Sequence, residues 1–500
     1  MEYRSFDPYR QELLSIFPAD DVVDFSRLNA VNHQWSKLAV QDRTNAFLKL
    51  AQVFQENQHA ISALITAEMG KPLHESMAEV SKCISAIQYF AVSAPALLKP
   101  KVIASEAKAS YLLPEPLGLL FAILPWNCPF WQLIRFAMPA MLAGNTVIFK
   151  PAPNVPQCAR LMDELFIKAG FPTGTLHSQF LSDNGVANLI RHPMIKGVSF
   201  TGSDRTGSLI GSLAGHAIKK TVMELGGNDP MIIFADADLE AALKGAVQSR
   251  CINGGQACNG AKRFLIEQSI YQQFSNDLIN AVTALRCGDP MNPATQIGPM
   301  PRFDLFEKLK NQVMRAVSAG AIPFVNNNLT EKHNWIFSPT VLMDLLPGNP
   351  AFEEEIFGPV WSLTPFKDKY DAIQLANASA FGLGASIWTS SEETISWIIP
   401  EIETGNVFIN DYVRSAARFP FGGVKRSGFG KELGEAGRQR AMERFGPDVA
   451  ITDYEFFVPR VARKIGVPCL SFDNQHAITM GRIDCPIQQT PSRLATSFAI

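Results

Sequence analysis

One cysteine in this sequence stands where a nucleophile could work. Cys258 lies in the stretch Asn-Gly-Gly-Gln-Ala-Cys-Asn-Gly at residues 253–260, with Lys262 and Arg263 close behind it. Small neighbours let a substrate carbon approach the sulfur, and nearby cations favour the reactive thiolate. The pattern therefore predicts a nucleophilic thiol. The alternative is a small buried hydrophobe, which is our interpretation for most of the eight cysteines.

A carboxylate and an amide elsewhere in the chain have the chemistry to assist such a nucleophile. Glu224 ends an apolar, strand-like stretch and precedes two glycines. Loss of hydration there would raise its pKa towards that of a general base, and the alternative is an acid at a helix start or in a surface turn. Asn127 lies in the proline-flanked turn 125–129. A fixed amide donor there could stabilise an oxyanion, and the alternative is an asparagine that only forms the turn.

Two glycine-containing stretches were considered as phosphate-binding loops. Residues 198–201 read as a strand that leads through Gly202, Ser203 and Gly207 into a helix, and a helix N-terminus beside glycines suits a pyrophosphate. This signal is weak alone, because a capped turn that binds nothing has the same form. The second stretch, residues 421–431, fails the spacing of a Walker A loop because Glu432 follows Lys431 where Ser or Thr is needed.

Alternating strands and helices must position these residues. The hydrophobic pattern predicts helices over residues 42–65 and 80–92 and short extended stretches at 101–105 and 109–113. Strands alternate with helices from residue 117 to 216, and a second alternation runs from 231 to 410. This order is typical of parallel sheets with crossover helices. It predicts two successive α/β domains that meet near residues 225–230.

Composition excludes several classes of protein. Of 500 residues, 47% are hydrophobic and 18% charged, and the net charge is -2, so a nucleic-acid partner is not expected. The longest apolar run, residues 117–124, is far shorter than the roughly 20 residues of a membrane span. The first residues lack the layout of a secretory signal, which predicts a cytoplasmic location. The cysteines form no Cys-x-x-Cys pair, so no metal site and no disulfide framework are predicted.

Seven blocks, in order along the chain, resemble those of the aldehyde dehydrogenase superfamily. They are Pro-Trp-Asn at 125–127, Phe-Lys-Pro-Ala at 149–152, Phe-Thr-Gly-Ser at 200–203, Glu-Leu-Gly-Gly at 224–227, Gly-Gln-Ala-Cys at 255–258, Glu-Ile-Phe-Gly-Pro-Val at 355–360 and Pro-Phe-Gly-Gly-Val-Lys-Arg-Ser-Gly at 420–428. The resemblance covers about residues 40–440. Seven blocks in register favour the functional interpretation of each motif over its structural alternative.

The resemblance implies the fold, the reaction and the roles of particular residues. The implied fold is α/β, with a Rossmann-type cofactor domain, an α/β catalytic domain and a β oligomerisation arm. Cys258 would attack an aldehyde, Asn127 with the Cys258 backbone N–H would hold the oxyanion, and Glu224 would activate water to hydrolyse the thioester. The residues that would bind the cofactor, NAD or NADP, are Trp126, Lys150, Gly202, Ser203, Gly207, Glu355 and Phe357.

The substrate and the cofactor preference follow from finer features. The sequence is most similar to the succinate-semialdehyde dehydrogenase branch, in which Arg135 and Ser415 would bind the substrate carboxylate. A further arginine of some such enzymes is Ile252 here. Pro153 stands where NAD-preferring relatives often carry a glutamate, so NADP is also accommodated. The alternatives are a broad aliphatic or betaine-type aldehyde dehydrogenase and a non-catalytic binding protein of the same fold.

The resemblance also predicts a domain division and departs from the family at the end of the chain. Residues 1–97 and 116–226 are predicted to form the dinucleotide-binding domain, and residues 227–439 the catalytic domain. Residues 98–115 would form the oligomerisation arm of a homodimer or homotetramer, with a C-terminal part near 440–460. Residues 461–500 are an atypical tail, because the sequence after Arg444 does not resemble the family's closing strand.

Overall fold

The computed structural model describes residues 2–102, 110–325 and 335–434, and the backbone of two short strands beyond them. The chain divides into two compact units, residues 1–433 and 434–500. Of the second unit the structure describes one parallel pair of strands, in which Ala450 pairs with Cys469. The predicted C-terminal part of the oligomerisation arm lies largely outside the described residues.

The strands of the described chain are numbered in chain order. They are β1 (Glu2–Asp7), β2 (Glu12–Pro18), β3 (Lys101–Val102), β4 (Tyr111–Leu112), β5 (Leu119–Ile123), β6 (Thr146–Lys150), β7 (Leu176–Ser178), β8 (Ile195–Thr201), β9 (Lys220–Glu224), β10 (Pro230–Ile233), β11 (Arg263–Glu267), β12 (Ile322–Val325), β13 (Thr340–Met343), β14 (Val360–Phe366), β15 (Phe381–Gly382), β16 (Ala385–Trp388), β17 (Val407–Ile409), β18 (Val424–Lys425), β19 (Gly428–Phe429), β20 (Ala450–Asp453) and β21 (Cys469–Phe472).

The α-helices are numbered in the same way. They are α1 (Phe25–Ser36), α2 (Val40–Glu56), α3 (Gln58–Met69), α4 (Leu73–Leu97), α5 (Trp131–Leu142), α6 (Pro156–Lys168), α7 (Asp183–Arg191), α8 (Asp204–His216), α9 (Leu239–Cys251), α10 (Tyr271–Thr283), α11 (Phe303–Ser318), α12 (Pro350–Glu353), α13 (Lys369–Asn377) and α14 (Glu392–Glu401). No helix within the described residues is long and apolar enough to cross a membrane.

Five strands from the first half of the chain, together with β19, build a six-stranded sheet in the order β19-β9-β8-β5-β6-β7. The strands from β9 to β7 run parallel, and β19 pairs antiparallel with β9. Every residue of β5 and β6 is buried, as expected for strands covered on both faces. Because β5, β8 and β9 point the same way, the segments that follow them meet at one edge, which is where parallel sheets commonly bind ligands.

A seven-stranded sheet in the order β12-β13-β14-β11-β10-β16-β17 follows. It is parallel except for the edge strand β12, which pairs antiparallel with β13. Two hydrophobic clusters join this sheet to its helices. One contains residues of α9 and α10, and the other contains residues of α11, α12, α13 and α14. Its first strand, β10, begins at Pro230.

The structure differs from the sequence-based expectations in several elements. The predicted helix over residues 42–65 is two helices, α2 and α3, that meet at Asn57. Helix α5 was not predicted because it is apolar and buried almost all round, which removes the periodic signal. Strand β19 lies within the range predicted as the catalytic domain, yet it pairs with β9 of the six-stranded sheet. In the predicted arm, β3 and β4 pair antiparallel.

Candidate active site

A cavity of about 460 Å³ collects most of the residues predicted from the sequence. It is lined by eight of them, namely Trp126, Asn127, Gly202, Ser203, Glu224, Cys258, Glu355 and Phe357. Lys150, Gly207, Arg135 and Ser415 are not part of the lining. The nucleophile, base and amide donor proposed separately from sequence therefore share one space with the glycine-bordered start of α8.

Local contacts hold residues 252–258, here called the nucleophile loop, in an unusual conformation. Asn253, Gly254 and Gly255 follow α9 with φ values of 57°, 61° and 76°, in the left-handed region that favours glycine. A Cβ at Gly255 would lie 2.1 Å from the carbonyl oxygen of Gly358, so no larger residue fits there. The Glu75 carboxylate accepts a hydrogen bond from the Asn253 N–H at 2.6 Å. These contacts turn the chain so that Cys258 lines the cavity.

Burial, and not the neighbouring cations, dominates the state of the Cys258 thiol. Loss of hydration raises its pKa to about 11, although the Arg135 and Lys262 charges act to lower it. The Arg135 and Lys262 charges thus favour the thiolate in the direction expected from the sequence, and burial outweighs them. The Lys262 ammonium donates to the carbonyl oxygens of Ala257 and Cys258, and the Arg263 guanidinium donates to Asn228, Leu375 and Ala376 carbonyls.

Asn127 and the Cys258 backbone form a donor pair. The Asn127 Nδ2 group donates one hydrogen bond to the Gln256 carbonyl at 2.9 Å, which fixes the amide beside the nucleophile loop. An amide nitrogen carries two N–H groups, so the second stays available. Among the residues that the structure describes, none accepts a hydrogen bond from the backbone N–H of Cys258. Both donors can therefore serve an oxyanion on a carbon bound to Sγ.

Glu224 belongs to a buried network of charges. Neither carboxylate oxygen has a hydrogen-bond partner among the described residues, and the Arg135 Nη2 atom lies 3.7 Å from Oε2. The Arg135 guanidinium also pairs closely with Glu432. Burial raises the pKa of Glu224 to about 8, and Arg135 acts to lower it. Glu224 can therefore accept a proton once it is ionised, and its ionised fraction increases as the pH approaches 8.

In this network the Arg135 guanidinium forms ion pairs with two carboxylates, those of Glu224 and Glu432. Arg135 is 2% exposed and lies over the Phe421 ring, with its charge shared between two glutamates. The sequence-based role of Arg135, binding a substrate carboxylate, stays a prediction. The structure brings it to Glu224 and Glu432 and leaves it outside the cavity lining.

One side of the cavity carries a carboxylate and two aromatic rings that fit the nicotinamide end of a dinucleotide. The Glu355 carboxylate accepts a hydrogen bond from the Gly227 N–H at 3.0 Å and lies 3.6 Å from the Lys262 Nζ atom. A Cβ at Gly226 would come within 2.5 Å of Glu355 Oε2, so glycine is needed for the carboxylate to sit there. The Phe357 ring packs edge-on against Trp126, with ring centroids 5.9 Å apart.

The start of α8 completes this side. The Ser203 hydroxyl caps the helix by accepting from the Thr206 N–H at 3.3 Å, and a Cβ on Gly207 would clash with Leu225. The first-turn N–H groups of a helix favour a pyrophosphate. Asp204, also in the lining, is neutralised by Arg426, whose Nε donates to it at 2.9 Å. An acid at this helix start therefore does not exclude a phosphate.

Lys150 and Ser415 lie apart from the cavity. The Lys150 ammonium at the end of β6 donates to the Pro151 carbonyl at 3.2 Å, and burial lowers its pKa to about 8. The Ser415 hydroxyl accepts a hydrogen bond from the Lys82 ammonium at 2.8 Å.

Sequence reasoning missed several residues of this site. The sequence analysis used Glu432 only as evidence against a Walker A loop. Gln132, which lines the cavity, lies on helix α5, which was not predicted. The role of Lys262 in holding the nucleophile loop was also missed. The signal available for Glu432 was a single carboxylate next to a glycine-rich block, which by itself points to no partner.

Comparison with known proteins agrees with this arrangement. The family model described as "Aldehyde dehydrogenase family" matches residues 2–444, and one described as "Glycosyl transferase family 1" matches residues 434–500. The chain is 40% identical over 437 residues to the NAD(P)+-dependent succinate semialdehyde dehydrogenase Sad of Escherichia coli, which covers 87% of this chain and 95% of that protein.

Further relatives are similar at comparable coverage. The NADP+-dependent succinate-semialdehyde dehydrogenase of Deinococcus radiodurans is 37% identical over 439 residues, covering 87% of this chain and 92% of that protein. The crystal structure of succinic semialdehyde dehydrogenase from Streptococcus pyogenes in complex with NADP+ is similar with a TM-score of 0.84 and 31% identity, covering 87% of this chain and 97% of that one. On the match over residues 2–444 and these similarities, the chain belongs to the aldehyde dehydrogenase family.

Proposed function

We propose that this protein oxidises succinate semialdehyde to succinate with NADP or NAD. The observation that carries the proposal is the convergence of the Cys258 thiol, the Asn127 amide and the Glu224 carboxylate on one cavity whose wall includes the start of α8. Relatives named as succinate-semialdehyde dehydrogenases support the choice of aldehyde. A non-catalytic binding protein would have no need of all three groups.

The first step is attack of the Cys258 sulfur on the aldehyde carbon. The thiol proton leaves, a carbon–sulfur bond forms, and the carbonyl oxygen becomes an oxyanion held by Asn127 and the Cys258 N–H. Loss of one such donor typically costs about 10²–10³ in rate. Because burial raises the thiol pKa to about 11, the proton must pass to a base or to water during attack. Glu224, a buried carboxylate of the same cavity lining, accepts this proton when it is ionised and then passes it to solvent before the second stage.

The second stage is hydrolysis of the thioester on Cys258. A bound nicotinamide would supply the oxidant that converts the aldehyde adduct on Cys258 into this thioester. We propose that Glu355 and Phe357 hold its ribose and ring, that Gly202, Ser203 and Gly207 border the pyrophosphate, and that Lys150 binds the adenosine ribose. Deprotonated Glu224 then takes a proton from water as the water attacks the thioester. The carbon–sulfur bond breaks, succinate leaves, and the Cys258 thiolate takes up a proton from Glu224 or solvent to restore the thiol.

A comparison of three aldehydes tests the proposal. Succinate semialdehyde, hexanal and betaine aldehyde are each supplied with NADP or NAD, and reduced cofactor is measured by absorbance. We expect the highest kcat/KM for succinate semialdehyde, turnover with both cofactors, and a loss of at least about 10³-fold in Cys258→Ala. Full turnover in Cys258→Ala, or a preference for hexanal or betaine aldehyde, would contradict the proposal.

We further propose a cytoplasmic homodimer or homotetramer that acts on this small molecule and binds neither nucleic acid nor membrane. The β3–β4 pair lies where the family resemblance implies an oligomerisation arm. The cysteines of the described residues are free thiols, which is typical of a reducing compartment.

A further inference from the structure

An ammonium group with no carboxylate partner lies outside the lining of the active-site cavity. Lys82 lies on α4 and is half-buried, and no carboxylate within the described residues comes within 4.0 Å of its Nζ atom. Unpaired ammonium groups withdrawn from water are uncommon, because burial of a charge is costly. This one has two polarisable neighbours, the Ser415 hydroxyl at 2.8 Å and the Trp131 ring, with its centroid at 4.1 Å.

The other buried cations around Cys258 already have protein partners. Lys71 pairs with Glu79, Arg135 with Glu224 and Glu432, and Lys262 with Glu355. The Arg250 guanidinium donates to the Ile356 and Val360 carbonyls. The Arg135 charge is already shared with two protein carboxylates. Lys82 has no carboxylate within 4.0 Å among the described residues, so its charge is not shared in this way.

The two neighbours of Lys82 are tied to the reacting groups. The Trp131 backbone N–H donates to the Glu79 carboxylate, as does that of Phe130, which anchors the turn that carries Asn127. On the other side, the Asn259 side chain next to Cys258 donates to the Val413 carbonyl at 3.3 Å. Val413 and Ser415 belong to one loop. Lys82, Trp131 and Ser415 are therefore held by the same segments that carry the oxyanion donor and the nucleophile.

We propose that Lys82, assisted by Ser415 and oriented by Trp131, binds the carboxylate of the aldehyde substrate and so determines its preference for a carboxylated aldehyde. This inference rests on the proposed function. The ammonium has three N–H groups, of which Ser415 uses one. Because the Ser415 hydroxyl accepts from Lys82, its own proton stays available as a donor. The pair thus offers one donor to each oxygen of a carboxylate, and the Trp131 face keeps the ammonium in place.

Two substrates of equal carbon number separate carboxylate binding from the chemistry. Succinate semialdehyde and butanal are compared in wild type, Lys82→Met, Lys82→Arg, Ser415→Ala and the exposed control Lys49→Met. For succinate semialdehyde we expect Lys82→Met to raise KM about 10- to 100-fold with kcat changed less than about twofold, and Ser415→Ala to raise KM about fivefold. KM for butanal should stay within about twofold in all variants, and Lys82→Arg should recover most of the affinity.

Inhibition by succinate gives a measurement that does not depend on turnover of the semialdehyde. Succinate should compete with butanal, and its inhibition constant should rise about 10-fold or more in Lys82→Met and not in Lys49→Met. Unchanged inhibition and KM in Lys82→Met, or equal losses for both aldehydes, would overturn the inference. If wild type fails to oxidise succinate semialdehyde while succinate still inhibits through Lys82, the proposed function is wrong and the anchor stands.

Discussion

At the scale of single residues, proton transfer is the controlling feature of this site. Burial raises the pKa of Cys258 to about 11 and that of Glu224 to about 8, so both groups hold their protons at neutral pH. A general base acts only when deprotonated. The reactive fraction of the enzyme therefore increases with pH, and the charges around Glu224 set where the increase ends.

The pH dependence of turnover tests the role of Glu224. With both substrates saturating, kcat should rise nearly tenfold per pH unit below about pH 8 and level off above it, because only deprotonated Glu224 accepts a proton. Glu224→Gln should lower kcat by about 10²–10⁴ and remove this limb. The exposed Glu240→Gln serves as the control. A wild-type profile that is flat between pH 6 and 8 would contradict the assignment.

Arg135 should act on the rate with every aldehyde. Its guanidinium lowers the pKa of both Glu224 and Glu432, so Arg135→Met should move the pH midpoint of kcat upwards and slow turnover at pH 7.5. The loss should be equal for succinate semialdehyde and butanal, and the exposed Arg191→Met should behave as wild type. A loss confined to KM for succinate semialdehyde would instead assign Arg135 to the substrate carboxylate.

At the scale of elements, the N-terminal half of α4 connects the two loops that hold the reacting groups. Glu75 accepts from the nucleophile loop at Asn253, whereas Glu79 accepts from the backbone N–H groups at the start of α5. Lys71, just before the helix, pairs with Glu79 and donates to the Asn127 carbonyl at 3.5 Å. One helix thereby sets the relative position of the amide donor and the thiol.

Loss of the Glu79 charge should weaken this connection. Glu79→Gln leaves the buried Lys71 ammonium without a carboxylate, which typically costs about 3–5 kcal/mol of unfolding free energy. We expect a clear decrease in the urea midpoint, followed by tryptophan fluorescence. Glu56→Gln, on the exposed face of α2, should change stability by less than about 0.5 kcal/mol. Equal midpoints for the two variants would show that the ion pair does not stabilise the fold.

At the scale of the whole molecule, the proposed assembly of subunits depends on which part of the chain joins them. The family match ends at residue 444, and residues 434–500 match a different family description. The resemblance implies an arm at residues 98–115, where the structure describes the antiparallel pair of β3 and β4. This pair is in the first compact unit, so the proposed assembly does not depend on the second unit alone.

Sedimentation of the full chain measures the assembly. We expect a particle of two or four times the chain mass of 55.0 kDa at micromolar concentration, because family resemblance implies an arm that joins subunits. Deletion of residues 101–112, which include β3 and β4, should lower this mass. A particle of 55.0 kDa at all concentrations would contradict the proposed homodimer or homotetramer.

Local sequence was enough to predict the parts of this protein that depend on local patterns. Strand β6, helix α8, helix α9, strand β11 and helix α11 fall within the two stretches, 117–216 and 231–410, that were predicted to alternate strands with helices, because hydrophobic period and turn residues are short-range signals. The motifs around Asn127, Glu224 and Cys258 are likewise continuous stretches, so their chemistry was readable before the fold was known. Helix α5 escaped because it is buried almost all round and has no polar face to mark its period.

What only the tertiary structure decided is which charges meet. Arg135 and Glu432 are almost 300 positions apart, and Lys82 and Ser415 are more than 300 apart, yet each pair is in contact. Burial of the Cys258 thiol raises its pKa, although the sequence places cations near it that act to lower it. Hydration and charge pairing depend on everything that surrounds a group in space, and no local stretch of residues contains that information.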